Sequence, residues 1–562
     1  MFAGLCQVLS QLLGLQEVKP SDNFFSLGGD SLAAIRFVAA SRERGLMLTI
    51  PMISGSSTIA ELADVLSKRK SVQGTVRGSS QSTVDDSTLS GQKISLQDSA
   101  QSLMAGSLPG DIADLENFGL TPLSPVQRWF MSLNQTCPTH WNMAFVINLS
   151  AAAPYQRICD AIHDTLRANP VLASQFDSTV GNASVKIADV PDFTQSIHPS
   201  PDNSILIEEH LDSLQQDFDL RTGQLIRFSL DPNSDGACDK IGVVVHHLVS
   251  DALSNWLFAN EITRRLFNDT MPIFGGSVSY RDWSTQISRK WPQREDTAIE
   301  GARSAQRVVP TSLCIEENVV EHRLSIEATL WSSMRDYAEN QKIELHELCL
   351  YVILQSWQQQ GSIRVDVETH GRDAAAVSGD TSATIGWFTA FFKLVVEAYQ
   401  LDNVARFSRT FKQKKSAGCQ DFLENPESFF DYTGMSDDGG STPALLYNFL
   451  AMDIDQSKVT DDSTGFTLTS LVDGRFRDKH SFRSHALEVI VLDEIGGVSV
   501  LWRTDESMLT TLGIERWIAA VQSNLHRLSQ LELSQKEQTL SEQFPDSGLS
   551  DSELDQFLSG LD

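Results

Sequence analysis

The sequence predicts a small all-α domain followed by a much larger, two-lobed α/β domain. Three observations predict it. Residues 1–70 carry apolar positions at helical spacing only. Residues 71–110 lose all periodicity and fill with Ser, Gly, Gln and Asp. From about Asp111 to Leu531, strand-like and helix-like runs alternate, over a length that suggests two lobes. The chain has 562 residues, too many for one ordinary core, and fits about two to four domains.

Helical spacing recurs in Phe2–Leu13, Leu32–Val38 and Ile59–Leu66, and the loop KPSDNFFSLGGDS (residues 19–31) joins the first two. Residues 71–110 read as a flexible linker. Strands are expected at Ala144–Leu149, Leu225–Leu230, Ile241–His246, Arg364–Glu368, Phe391–Val396 and His485–Leu492. The β-branched run Val243–Val245 marks a strand buried on both faces. Helices are expected at Gln156–Ala168, Leu253–Phe267 and Ile514–Leu528. The lobes are placed at residues 111–290 and 291–533, and a polar connector at 534–562 with one short helix, Ser552–Leu558. No internal repeat is visible.

Composition excludes several classes. Lys and Arg number 44 against 73 Asp and Glu, a formal charge of −29. Binding to nucleic acid or to an anionic membrane needs basic patches, so neither partner is expected. No apolar run is long enough to span a bilayer, and the apolar N-terminus lacks a basic leader. Seven scattered cysteines with no C-x-x-C pair fit a reducing cytoplasm, and no metal site is expected.

The string Asp22-Asn-Phe-Phe-Ser-Leu-Gly-Gly-Asp-Ser31 has a readable logic. Phe24, Phe25 and Leu27 pin the loop, Gly28 and Gly29 leave the backbone open, and Ser31 opens a helix whose free N–H groups favour a phosphodiester. It resembles the peptidyl carrier domains of nonribosomal peptide synthetases. The resemblance implies a four-helix carrier with 4′-phosphopantetheine attached to Ser31 by a phosphopantetheinyl transferase.

A second string, Val243-Val-Val-His246-His247-Leu-Val-Ser-Asp251, ends a buried strand, so the two histidines should point to opposite sides. It resembles the HHxxxD motif of the condensation-domain superfamily, with its chloramphenicol-acetyltransferase-like fold. By that resemblance His247 is catalytic, His246 structural, and Asp251 the ion-pair partner of an arginine, for which Arg372 is the candidate. Pro125-Val-Gln-Arg-Trp-Phe130, His140-Trp-Asn142, Glu368-Thr-His-Gly-Arg-Asp373, Gly386-Trp387-Phe-Thr389 and Tyr447-Asn448-Phe-Leu450 are similar to epimerisation-domain motifs within that superfamily. There are departures. Ala252 and Asn255 stand where Gly and Trp are usual, with Trp256 one step late, and Phe449 stands where Tyr is usual. A PxxGxGYG segment is missing, with Lys412–Cys419 in its place.

The resemblance implies an amino-acid epimerase acting on a carrier-bound thioester. Glu368 and His247 would remove and return the α-proton from opposite faces, in either order, and Asn448, Trp387 or a backbone N–H would serve the carbonyl oxygen. Two other readings stay open: an amide-forming condensation or cyclising domain with His247 as base, and a non-catalytic domain that docks the carrier. The chain reads as a piece of a synthetase, with an adenylation domain upstream and a condensation domain downstream. Incubation with coenzyme A and a phosphopantetheinyl transferase should add one phosphopantetheine mass to the protein and none to a Ser31→Ala variant, as read by intact-mass spectrometry.

Overall fold

The computed structural model describes residues 2–76 in part. Beyond them it describes 120–176 (save 134), 184–187, 196–199, 206–267 (save 217), 278–291, 315–357, 362–372, 379–426, 445–455 in part, 466–471, 476–494 (save 486), 497–505 and 511–537. The expected linker beyond Val76, the C-terminal connector beyond Glu537, and the serine of the LGGDS string lie outside the described residues.

The N-terminal region is helical. Helices α1 (Phe2–Leu13) and α2 (Ile59–Val76) pack through Leu5, Val8, Leu9, Leu62 and Leu66. The described residues between Ala33 and Ser41 are helical too, and α2 continues past the expected boundary at residue 70. Phe24 stacks on Phe37 with ring centroids 5.7 Å apart. The N–H groups of Ile59 and Ala60 donate to the carbonyls of Asp22 and Pro20, which fixes the loop's first half at the start of α2.

The larger region is, among the described residues, two six-stranded sheets and one small three-stranded sheet, with helices. Strand β1 (Thr121–Pro122) pairs with β4 (Ser184–Ile187), which also pairs with β3 (Ser174–Gln175). The first large sheet contains β2 (Asn142–Pro154), β5 (Ile197–Pro199), β6 (Ile226–Leu230), β7 (Ala237–His246), β12 (Ile454–Asp455) and β13 (Phe466–Leu471), in the order β12-β13-β2-β7-β6-β5. Strands β12 and β13 come from the stretch read as the second lobe, yet they extend the first lobe's sheet. Alternation along β2 and β7 is apolar on both sides. Phe145, Ile147, Val243 and Val245 join one core, and Ala144, Val146 and Val244 join another.

The second sheet contains β8 (Val319–Glu327), β9 (Ile363–Thr369), β10 (Ala390–Val396), β11 (Leu445–Ala451), β14 (Leu487–Glu494) and β15 (Gly497–Asp505), in the order β10-β9-β11-β14-β15-β8. Its two faces differ. Val365, Val367, Tyr447, Val489, Val491, Val500 and Trp502 enter the lobe's core with the long C-terminal helix Thr511–Glu537. The intervening positions carry Asp366, Glu368, Asn448, Glu488 and Arg503. The period of two thus makes one face of this sheet polar, and that face supplies half of the candidate site.

Candidate active site

The first half of the site is built on the loop after β7. Its backbone is held from both sides. The N–H of His247 donates to the Trp141 carbonyl at 2.9 Å, and Gln127 Nε2 donates to the Leu248 carbonyl at 2.7 Å. Gln127 is free to do so because it sits in the first turn of the helix Pro125–Ser132, where it and Ser124 cap each other.

The two histidines diverge as alternation requires. His246 is fully buried between Phe130 and Phe218. Its Nδ1 accepts from the Leu248 N–H, so its Nε2 carries the proton and donates to the Pro138 carbonyl at 2.8 Å. Burial pushes its pKa down to about 3. Both nitrogens are committed, which leaves this ring structural.

His247 lies on the other side, half-buried, its ring 4.3 Å from that of Trp387. Its Nδ1 faces the Ser250 carbonyl at 2.8 Å. A carbonyl only accepts, so Nδ1 holds the proton and Nε2 is left with a lone pair. Burial pushes this imidazole down to about 4, so it is neutral at pH 7. Asn255, which stands where the motif usually places Trp, accepts from Ser250 Oγ at 2.7 Å and so steadies the residue that fixes this tautomer. Trp256 fills the core.

Asp251 and Arg372 form a buried ion pair at 3.3 Å. Arg372 also donates to the carbonyls of Thr381 and Thr384 and to Ser254 Oγ, and its guanidinium lies 3.8 Å above the Phe388 ring. Asp251 accepts the N–H groups of Ser254 and Phe388 at 2.7 and 3.0 Å. This places Trp387 over His247. The Trp387 ring is held edge-on by Trp129 and Phe130, and its Nε1 is buried with no hydrogen-bond partner. Two glycines are obligatory here. Gly371 has φ +62, and a Cβ there would lie 1.9 Å from the Phe388 carbonyl oxygen; at Gly386 it would strike the Tyr280 ring at 2.1 Å.

The second half of the site comes from the polar face of the second sheet. Glu368 on β9 accepts a short hydrogen bond from Asn448 Nδ2 on β11. Burial, and then the like charge of Glu488, push its pKa up to about 7, against the opposing pull of Arg477. Asn448 therefore serves the carboxyl. Arg477 acts on His247 as well as on Glu368, so one cation is within electrostatic reach of both groups.

Arg477 and Glu488 were not singled out in the sequence, which carries no local signal for them. Lys412–Cys419 lie within the helix Val404–Glu424, where Gly418 packs on Phe392 and Cys419 Sγ lies 3.8 Å from Thr369 Oγ1. Asp373 and Ser31 lie outside the described residues. Among the described residues, only Glu344, His346 and Glu347 bring three metal-type ligands together, and Lys412 stands 3.9 Å from Glu347 there. No helix among the described residues is long and apolar enough to cross a membrane.

Fold and site together define a helical carrier region joined to a two-lobed α/β domain that carries an HHxxxD loop after β7. Residues 118–417 match the family model described as a condensation domain, and residues 3–66 match a phosphopantetheine attachment site. The first match covers more than half of the chain, which belongs to the condensation-domain family. Chondramide synthase cmdD of Chondromyces crocatus is 25% identical over 99% of this chain and 14% of its own length. Tyrocidine synthase 2 of Brevibacillus parabrevis is 22% identical over 79% of this chain and 12% of its own length. The chain thus spans a small fraction of these relatives. Among solved structures, the epimerization domain from the third module of tyrocidine synthetase B superposes with TM-score 0.60 at 18% identity, covering 75% of this chain and 98% of that one. The condensation domain of the Monacolin K polyketide synthase MokA gives 0.53 at 11% identity, covering 74% and 97%.

Asp251→Ala should destabilise the fold by about 3–5 kcal/mol, because it leaves Arg372 charged and buried and removes the acceptor of two N–H groups; chemical denaturation measures it. Glu368→Gln should do the opposite at alkaline pH. The folded pKa of Glu368, about 7, lies above the ordinary 4.5, so folding disfavours the charged form. That penalty is absent below the unfolded pKa, grows as pH rises, and is complete above the folded pKa, at about 3 kcal/mol. The variant's melting temperature should exceed the parent's at pH 8 and match it near pH 4.

Proposed function

We propose that the chain is a carrier–epimerase didomain of a nonribosomal peptide synthetase. It would convert the L residue held as a thioester on Ser31 to the D form by α-proton removal and return. The observation that carries the reading is Glu368, a half-buried carboxyl on the polar sheet face whose pKa its surroundings raise to about 7, which makes it a second candidate proton carrier besides His247. Amide formation would use His247 as base and leave this carboxyl without a task, whereas a two-faced proton transfer uses both groups.

The phosphopantetheine arm would supply the thiol that holds the substrate as a thioester, whose carbonyl acidifies the α-proton. The chain's own residues do the rest. His247 Nε2 takes or gives a proton on one face, and Glu368 does so on the other. The tautomer set by the Ser250 carbonyl keeps the His247 lone pair toward the reacting carbon, and Asn448 orients the Glu368 carboxyl. Trp387 closes over the imidazole and holds its ring in place, which leaves a backbone N–H to serve the substrate carbonyl. Arg372 and Asp251 act through this geometry without touching substrate. The upstream adenylation domain, the downstream condensation domain and the transferase that loads Ser31 are the partners this reading requires. The boundaries at 1–70, 71–110, 111–290, 291–533 and 534–562 remain part of the same proposal.

Holo-protein loaded on Ser31 with an L-aminoacyl group in deuterated water should incorporate deuterium at Cα and release D product, with no second substrate added. His247→Ala and Glu368→Gln should each lower that exchange by at least about a hundredfold in one or both directions. Amide product from an added amine without α-exchange would establish the condensation reading instead, and loaded holo-protein that takes up no deuterium and forms no amide would establish the docking one.

A further inference from the structure

Between the two halves of the site lies a residue that the proposed chemistry does not yet use. The segment Phe476–Asp478 runs beside His140–Asn142. The N–H of Asn142 donates to the Phe476 carbonyl at 2.7 Å, the N–H of Asp478 donates to that of His140 at 3.2 Å, and Arg477 is bridged to Trp141. Trp141 is also the residue whose carbonyl holds the His247 N–H. By its backbone, then, Arg477 belongs to the first lobe and lies one strand away from the catalytic loop.

Its side chain belongs to the other lobe. The guanidinium lies 4.1 Å above the Trp141 ring, and its Nη1 reaches Glu488 Oε1 on β14 at 3.3 Å and Glu316 Oε2 at 3.9 Å. Arg483 and Arg503 share those two carboxylates. Glu488 sits on the same polar sheet face as Glu368, and beside it His485 pairs with Asp366 at 2.8 Å. Burial alone would raise the pKa of Glu488, but the three arginines and His485 outweigh it and hold the carboxyl well below the usual range.

We propose that Arg477 is a positioning residue for the reaction, a two-sided strut that fixes the His247 loop against the acidic row behind Glu368 and sets the charge that both proton carriers feel. The inference rests on the proposed pairing of His247 with Glu368. Charged groups face each carrier from several elements: Asp251 and Arg477 face His247, while Glu488 and Arg477 face Glu368. Arg477 is the group common to both sets. Its positive charge disfavours the imidazolium and favours the carboxylate, so its removal should make both carriers bind protons at higher pH. Loss of Arg477 also leaves Glu488 less neutralised, which pushes Glu368 the same way.

The test uses the full chain and the variants Arg477→Met and Arg477→Lys. Histidine side-chain NMR, with the His247 resonance assigned from a His247→Asn protein, reads the imidazole directly and needs no substrate. In Arg477→Met the His247 titration should move up by about half a unit or more, whereas Arg477→Lys should leave it near the parent position. In the deuterium-exchange assay the acid limb of the pH profile should move to higher pH in Arg477→Met. Arg477→Lys, which keeps the charge but loses the planar fork and the ring contact, should lower the rate without moving the limb. An unmoved His247 titration in a folded Arg477→Met protein overturns the electrostatic role. A full parental rate in Arg477→Lys overturns the strut, and that arm decides the case if Arg477→Met does not fold. Should the chain prove not to epimerise, the NMR titration still stands by itself.

Discussion

The site depends first on the ion pair between Asp251 and Arg372. Arg372 follows β9 in the second lobe, and Asp251 follows His247 in the first. Both groups are out of water, where an isolated charge would be prohibitively costly, so their polar atoms, Arg372 Nε apart, must find partners within the fold. They do so across three loops: the Asp251 loop, the Arg372 turn, and the Thr381–Phe388 segment, whose carbonyls and N–H groups complete the two shells. A hydrophobic pair of equal volume would fill the space but leave the Phe388 and Ser254 N–H groups and two threonine carbonyls unpaired. The pair therefore specifies a geometry. Once the Phe388 N–H is bound to Asp251, its neighbour Trp387 has little choice but to lie over His247.

Burial acts on His247 and Glu368, the two proposed proton carriers, in opposite directions. Removing water disfavours charge, so it lowers the affinity of an imidazole for a proton and raises that of a carboxyl. His247 is brought to about 4 and Glu368 to about 7 by this one cause, with neighbours only trimming each value. A neutral imidazole and a carboxyl that is easily protonated or deprotonated are each able to accept a proton at neutral pH. The same effect in His246, at about 3, has no such consequence, because its two nitrogens are already bonded to Pro138 and Leu248. Hydrogen-bond partners separate two adjacent histidines that composition cannot tell apart.

Much of this was legible in the sequence, and the reason is local periodicity. The run Val243–Val245 announced a doubly buried strand, and a strand ending in two histidines must aim them apart. The alternation Val365-Asp366-Val367-Glu368 likewise put a carboxyl on the polar face. Arg372 and Asp251 were matched because the resemblance pairs residues of those types, and the geometry has them 3.3 Å apart. What sequence could not supply were partners set by tertiary contact. Arg477 sits in a polar stretch with no period, and nothing local says that its backbone joins one lobe while its charge serves the other. The crossing of β12 and β13 into the first sheet was hidden for the same reason: strand pairing is non-local, and a short strand signal does not name its neighbour.

The departures from the family pattern are best judged by the bond each residue must make. Asn255 replaces a tryptophan, yet its amide oxygen accepts from Ser250, whose carbonyl faces His247 Nδ1. The indole volume is supplied one step later by Trp256, which is buried in the core. One residue of slippage thus divides between two side chains what a single bulky residue would otherwise fill, and the tautomer is fixed by a polar contact in place of packing alone. Lys412–Cys419 follows a different logic. A glycine-rich stretch would favour an open loop, but this sequence has helix-forming lysines and glutamine with one glycine, and it forms a continuous helix whose single glycine meets Phe392. Because that helix places Cys419 against Thr369, the residue after Glu368, the replacement alters the wall beside the carboxyl while leaving the atoms of the proposed proton transfer in place.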